Sequence, residues 1–489
     1  MPQRHQRFAG APAFHPLAAG LIFLGAILRL FRWLHWRSLW LDEIYLAKSI
    51  VSRNWLDLLG KPLLDWQAAP PLFLLLERAC VRMFGPGERS LRLVSLVFGV
   101  MSVGLMWAVA RRLLRPGAAT VALAIFSVCG PLIYYSSEVK PYGCDVACSL
   151  AIAWAVLRLM ESHSMARSAT AAAIGAVSIF LSYPSVFVLA AAALLLRRGT
   201  VALVWGAAFV VQYVVFIRPI THGSFHPYLV QYWLARDAFM PLWFTAPHWI
   251  FAKLWSVANA TGGMDLAYPD AALLAWIIGA AMLRSRRDWL LLTGPLAFVL
   301  AASSLRLYPF DDRLALFVVP QLIVLAALGI AALWTNFPAR CAAGALAVML
   351  LLPSGTSAVK SLFHAPDREE SLQLYGWMAP RWRPGDVIYL THFAEPSFRY
   401  YQSQVAWPPE ATAASNVRVQ PASVDADAIL QNVRSLAGAP RVWVVLIHAT
   451  GGTFDVRNST LAAFDASGHA IDQHIEPGAA VFLYDCSKF

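Results

Sequence analysis

The chain has 489 residues, 58% of them hydrophobic and only 14% charged. Soluble domains carry about a quarter charged residues, so this composition excludes a soluble globular protein, and the repeated apolar runs make the chain a polytopic membrane protein. The net charge of +11 does not point to nucleic acid, because the arginines cluster in short stretches between apolar runs, as in cytoplasmic loops.

In chain order, a basic N-terminus (Arg4, Arg7) leads into a first apolar run at about 17–34, read as a retained span because no small-residue cleavage site is evident. Residues 35–70 are polar and aromatic and read as a structured outer loop on the membrane surface. Within it, Arg37-Ser38-Leu39-Trp40-Leu41-Asp42-Glu43 carries two adjacent carboxylates, preceded by Trp33, Trp36 and Trp40, residues that favour the headgroup level. Residues 70–84 suit an interfacial or partly inserted helix, with Pro70 and Pro71 at its start. Further spans are expected at about 91–110, 118–135, 143–160, 168–182, 184–196, 200–217, 270–283, 289–304, 314–333 and 340–356, about eleven in all.

Alternating direction tests this layout. It puts Arg4/Arg7, Arg111/Arg112/Arg115, Arg167, Arg197/Arg198, Arg284/Arg286/Arg287 and Arg340 on one side, which the positive-inside rule makes cytoplasmic. The outer side then receives the Asp42-Glu43 loop, Tyr134–Tyr142, Ser182–Pro184, the long loop 218–269, Arg306–Arg313 and the tail. Residues 1–360 form the membrane domain. From 361 to 489 the composition changes: Pro366-Asp367-Arg368-Glu369-Glu370 opens a helical pattern, β-rich segments follow at 386–391, 441–448 and 480–485, and a helical stretch lies near 423–437. A small extracytoplasmic α/β domain is expected there.

An aspartate at the membrane surface can serve as a general base or ligate a hard cation. Asp42 could equally cap a helix beginning at Glu43. Glu43 would point elsewhere, since adjacent helical residues do not share a face, so it is given a supporting role. Outward-facing cations that could hold a phosphate are Arg29, Arg32, Lys140, Arg306 and Arg313, the alternative for each being snorkelling to headgroups. His222, His226 and His248 share one loop; with Asp42, His222 and His226 are weak candidates for a divalent cation, although Gly223 and Pro227 argue against the helix that His-x3-His would need. No P-loop, G-x-G-x-x-G or G-x-S-x-G signature is present. Phosphate, if recognised, would come from a lipid.

Arg29…Ser38-Leu39-Trp40-Leu41-Asp42-Glu43, Pro70-Pro71-Leu72-Phe73, Phe84-Gly85…Glu88-Arg89-Ser90-Leu91-Arg92-Leu93 and Tyr135-Ser136-Ser137-Glu138-Val139-Lys140-Pro141-Tyr142 together resemble the GT-C membrane glycosyltransferases. The branch they resemble is the dolichyl-phosphate-mannose-protein mannosyltransferase-like group, which also includes lipopolysaccharide galacturonic acid transferases and, more distantly, the aminoarabinose transferase of lipid A. The resemblance implies a GT-C fold, a polyprenyl-phosphate sugar donor and inverting transfer to a lipid, glycan or protein acceptor at the outer face of a bacterial cytoplasmic membrane. It matches Asp42 to the catalytic aspartate; from the residues themselves, Glu43 is expected in support and the donor phosphate at Lys140, Arg313, Arg29, Tyr142 and Glu138. The second motif departs from the aminoarabinose transferase, with Ala68-Ala69 where that enzyme has Glu-Lys. A polytopic flippase is the alternative; it should place ionisable residues at the midplane and broken helices in related halves. The sequence shows neither.

Overall fold

In a computed structural model, residues 16–162, 164–196, 199–224, 226–363, 368–422, 425–448 and 456–487 are described. Arg4, Arg7, Arg197, Arg198 and residues 364–367 therefore lie outside the described residues. The chain divides into two compact units. One comprises Met1–Leu34, Ala68–Cys80 and Arg92–His364; the other comprises His35–Gln67, Val81–Leu91 and Ala365–Phe489. The division does not fall at residue 360 alone: most of the outer loop groups with the tail.

The first unit is helical. Helices occupy each expected apolar stretch, from Pro16–Leu34 through Leu93–Leu113, Tyr142–Glu161 and Asp312–Ala332 to Phe337–Phe363. Among the described residues six helices are long and apolar enough to cross a membrane, or seven if the pair Pro116–Val128 and Gly130–Ser137, bent by 59°, counts as one. The remaining stretches, such as Met165–Leu181 and Pro269–Ala281, form shorter apolar helices. Small residues permit close approach where lipid offers no hydrophobic drive between helices. Gly279 and Gly329 face each other's backbones, and a β-carbon on either would collide with a carbonyl of the opposite helix. The loop 218–269 is itself largely helical, over Arg218–Thr221, His226–Ala235 and Ala246–Asn259. It breaks between His222 and His226, where Gly223 sits.

The second unit is built on a five-stranded sheet: β1 (Val387–Leu390), β2 (Val417–Val419), β3 (Val442–Ile447), β4 (His469–Glu476) and β5 (Ala479–Asp485). The order is β2-β1-β3-β5-β4. β1 is parallel to β2 and β3, whereas β5 is antiparallel to β3 and β4. Every residue of β3 is buried, which is why it reads as an unbroken apolar run rather than an alternating one. On one face Val442, Val444 and Leu446 meet Ile429, Val433 and Phe464 from the helices Ala426–Arg434 and Val456–Asp465. On the other, Trp443 stands edge-on to Trp377 of the helix Ser371–Met378, their ring centres 6.1 Å apart. The strands expected at 386–391, 441–448 and 480–485 are β1, β3 and β5. β2 has only three residues, and β4 is mostly exposed and polar; neither carries a strand's apolar signature.

Candidate functional site

The acidic motif opens a helix over Leu41–Ser52, so Asp42 lies inside its first turn and the capping position belongs to Trp40. Capping falls to Glu43, whose Oε2 accepts the Trp40 amide at 3.3 Å, the return contact of a capping box. Glu43 is fully buried and faces the buried Arg37 guanidinium at 3.9 Å. Asp42 is only partly buried. Of the two adjacent carboxylates, one is buried among structural contacts and the other is partly exposed. Trp40 is not a headgroup anchor: it is 6% exposed, and the Arg368 guanidinium stacks 4.5 Å from its ring centre. Trp36, 65% exposed, keeps the character expected of an interfacial ring.

The segment leading into this helix is fastened by side chains from the tail. Glu370 accepts the Ser38 amide at 3.0 Å, the Tyr401 hydroxyl accepts that of Leu39 at 2.7 Å, and Glu369 accepts that of Leu41 at 2.9 Å. The Ser38 hydroxyl donates to Gln373 at 2.9 Å and accepts the Leu372 amide at 3.0 Å. The helix Leu41–Ser52 lies against the helix Ala394–Tyr401. Around it the field is negative. Burial first, then the carboxylates of Asp65, Asp42, Glu369 and Glu395, hold the Tyr45 phenol well above its ordinary value. Sequence reasoning noted Glu369 and Glu370 only as the opening of a helical pattern and passed over Tyr45, Tyr401 and His448. The adjacent carboxylates in Arg368-Glu369-Glu370 were the one available signal.

In the helical unit, Tyr134, Tyr135 and Tyr142 form a chain of edge-on rings, each step 5.1 Å between centres. Arg313 donates from Nε to the Tyr142 hydroxyl at 2.9 Å, so two expected phosphate-site residues meet. The Lys140 carbonyl accepts the Ser95 hydroxyl at 2.9 Å, which fixes the turn, and Lys140 and Glu138 are buried. The Arg313 loop is held by a Lys253–Asp311 ion pair of 2.7 Å and by the Phe310 amide on the Ala238 carbonyl at 2.8 Å. Arg29 is differently occupied. It is fully buried in the first helix, with its guanidinium on the Gly25 carbonyl at 2.9 Å and over the Phe126 ring at 5.4 Å. The first contact stays within its own helix, and the ring contact reaches the helix Pro116–Val128. Arg32 lies over Tyr134 at 5.0 Å rather than reaching for headgroups, whereas Arg306 is exposed.

His222 is exposed, its Nδ1 beside the Thr221 hydroxyl (3.1 Å) and the Arg218 carbonyl (3.2 Å). Among the described residues no three His, Cys, Asp or Glu side chains are grouped to hold a metal ion. The weak candidates Asp42, His222 and His226 therefore do not gather into such a group.

Residues 68–243 match the family model described as dolichyl-phosphate-mannose-protein mannosyltransferase. Two solved structures show the same architecture. ArnT from Cupriavidus metallidurans in its apo state aligns with a TM-score of 0.51 at 14% identity, over 95% of this chain and 98% of that one. The Archaeoglobus fulgidus oligosaccharyltransferase aligns with a TM-score of 0.54 at 13% identity, over 97% of this chain and 74% of that one. The chain shares the fold of these two proteins. ArnT has also been solved bound to undecaprenyl phosphate, and that structure aligns with a TM-score of 0.51 at 13% identity, over 96% of this chain and 97% of ArnT. No curated protein sequence matches the chain. The segment matched by the family model includes Pro70-Pro71, Glu138, Lys140 and Tyr142, but neither Asp42-Glu43 nor Arg313.

Proposed function

We propose that this GT-C membrane protein is a glycosyltransferase that moves a sugar from a polyprenyl-phosphate donor to a lipid, glycan or protein acceptor. We place the reaction at the outer face of a bacterial cytoplasmic membrane. The observation that carries the reading is the division of labour between Asp42 and Glu43 on a GT-C fold. Glu43 is buried against the Trp40 amide and Arg37, whereas Asp42, its neighbour in the motif, is partly exposed. A related fold, ArnT, binds undecaprenyl phosphate, which favours a donor of that class.

In this mechanism the acceptor hydroxyl or amine attacks the anomeric carbon while Asp42 takes its proton. The bond from that carbon to the phosphate oxygen breaks with its electron pair on the oxygen, and attack opposite the leaving group inverts the centre. Arg313 and Lys140 meet the charge that develops on the departing phosphate, the kind of stabilisation that is usually the largest catalytic contribution. Tyr142 aims the Arg313 guanidinium, and Glu138 supports Lys140. Arg29, occupied by backbone carbonyls, is left out of the phosphate site. A divalent cation at the site remains part of the proposal only as a group that Asp42 could ligate.

The test is to incubate the purified protein with a panel of labelled polyprenyl-phosphate sugars. Transfer or donor hydrolysis with one member, abolished by Asp42→Asn, supports the reading. Bilayer-to-bilayer lipid movement with no transfer from any donor would support the flippase instead. Orientation is tested separately with single cysteines at the exposed positions Ser415 and Arg115. An impermeant thiol reagent applied from outside should label Ser415→Cys and spare Arg115→Cys.

A further inference from the structure

Four consecutive amides, Ser38 to Leu41, lead into the helix that bears Asp42, and all four are held by side chains: Glu370, Tyr401, Glu43 and Glu369. Glu369 does something the others do not. One of its oxygens takes the first helical amide, that of Leu41, at 2.9 Å, and the other lies 2.6 Å from Nδ1 of His448. Its side chain is 6% exposed. A carboxylate at a helix N-terminus is favoured by the helix dipole, and screening from water strengthens both of its contacts. The groups facing His448 are Glu369, Asp42 and Arg368, with the Phe393 ring 5.6 Å away. The bond to Glu369 raises the imidazole's affinity for its proton, which burial opposes; Asp42 adds to the rise and Arg368 subtracts from it.

We propose that Glu369 is the positioning residue for Asp42, fixing the start of its helix through the Leu41 amide while His448 locks the orientation of the Glu369 carboxylate. Asp42 follows Leu41 directly, so the direction of its carboxylate depends on where the first turn begins. Loss of the acceptor at Leu41 frees that turn to fray, and a displacement of about 1 Å at a reacting group can cost about a hundredfold in rate. Glu369 acts through the backbone and does not touch the substrate. The inference rests on the reading of Asp42 as the base, and its test separates the two.

The test uses the full chain in proteoliposomes with Glu369→Ala, Glu369→Gln and Asp42→Asn. Two readouts are taken: donor kinetics, and the pH midpoint of diethylpyrocarbonate modification at His448, located by mass spectrometry. His448 is 43% exposed and open to the reagent. Glu369→Ala should lower kcat about 10- to 100-fold with donor KM within about twofold. Glu369→Gln keeps an oxygen for the Leu41 amide and should recover to within about fivefold. The His448 midpoint should fall in both Glu369 variants and, by less, in Asp42→Asn. Full kcat in Glu369→Ala, no rescue by Glu369→Gln, or a midpoint unmoved in all three variants overturns the proposal. If Glu369→Ala does not fold, Glu369→Gln and Asp42→Asn decide through the midpoint alone. Midpoints that shift as expected while no donor supports transfer would sink the glycosyl-transfer reading and leave the Asp42–Glu369–His448 grouping standing.

Discussion

The segment Ser38–Leu41 and the segment Tyr134–Tyr142 were both expected to face outward and carry function, yet they are held in different ways. The tyrosine segment adds contacts of its own to those it receives from Ser95, Arg32 and Arg313. The Ser136 hydroxyl returns to the Ile133 carbonyl at 2.6 Å, that of Ser137 to Tyr134 at 3.0 Å, and the rings of Tyr134, Tyr135 and Tyr142 support one another. The acidic segment makes one such local contact, through Glu43, and takes three of its four amide partners from residues 369–401. A segment that helps to specify its own shape tolerates change elsewhere, whereas one shaped by distant side chains inherits every disturbance to them.

The largest expected effect tests whether the acidic segment is shaped for chemistry. Asp42→Asn keeps size and much of the hydrogen bonding but removes the proton acceptor, so transfer should fall by roughly two to four orders of magnitude while folding and donor binding persist. Near-normal turnover would reduce Asp42 to a helix residue. Glu43→Ala probes its structural twin. It leaves the buried Arg37 without that carboxylate and should destabilise by about 3–5 kcal/mol, read as a lower thermal midpoint in detergent. Glu43→Gln, which can still accept the Trp40 amide, should lose less.

On the side of the tyrosine segment, Arg313→Ala and Lys140→Ala should each weaken donor use about ten- to a hundredfold, or about 1.5–3 kcal/mol for a charge-assisted contact. Lys140→Arg should keep much of it, as the charge is retained. Because that segment makes contacts of its own, neither alanine should alter the His448 midpoint; a change there would break the contrast between the two. The smallest effect is on pH. The His448 proton is held more tightly in the folded chain than in the unfolded one, where its value is near 6.5. Its contribution to stability is therefore fully present below that value and is lost as pH rises through the higher folded value. Limited proteolysis of the acidic segment should accelerate over that window in the wild type and lose the dependence in Glu369→Gln.

This contrast also explains what was legible in the sequence. Apolar runs announce helices because burial in lipid demands continuous hydrophobicity, so the expected spans found their helices, and β1, β3 and β5 announced themselves through short runs rich in β-branched, aliphatic and aromatic residues. Asp42 stood out because a carboxylate pair beside a span is unusual, and the difference between the pair followed from the helical angle between neighbours. Glu369, Tyr401 and His448 were illegible. Glu369 and Tyr401 bond backbone amides more than 300 positions away, and His448 bonds a carboxylate 79 positions away; an amide has no sequence signature. Arg29 misled for a related reason: a cation near a span end reads as a phosphate or headgroup contact, and only the structure places the Gly25 carbonyl against it.

The turn between β4 and β5 bears on when this protein becomes complete. The Pro477 carbonyl accepts the Glu370 amide at 2.9 Å, and Gly478, with φ +68°, lies so close to Arg368 that a β-carbon would collide with the Arg368 carbonyl. The hairpin thus seats the two carboxylates that grip Ser38 and Leu41. A ribosome delivers Asp42 near the start of the chain and Gly478 near its end. Until residues 369–401 follow, the Ser38, Leu39 and Leu41 amides lack their side-chain acceptors. Synthesis order thus separates the segment from its frame: a nascent chain carries Asp42 long before the carboxylates and the hairpin that hold the start of its helix.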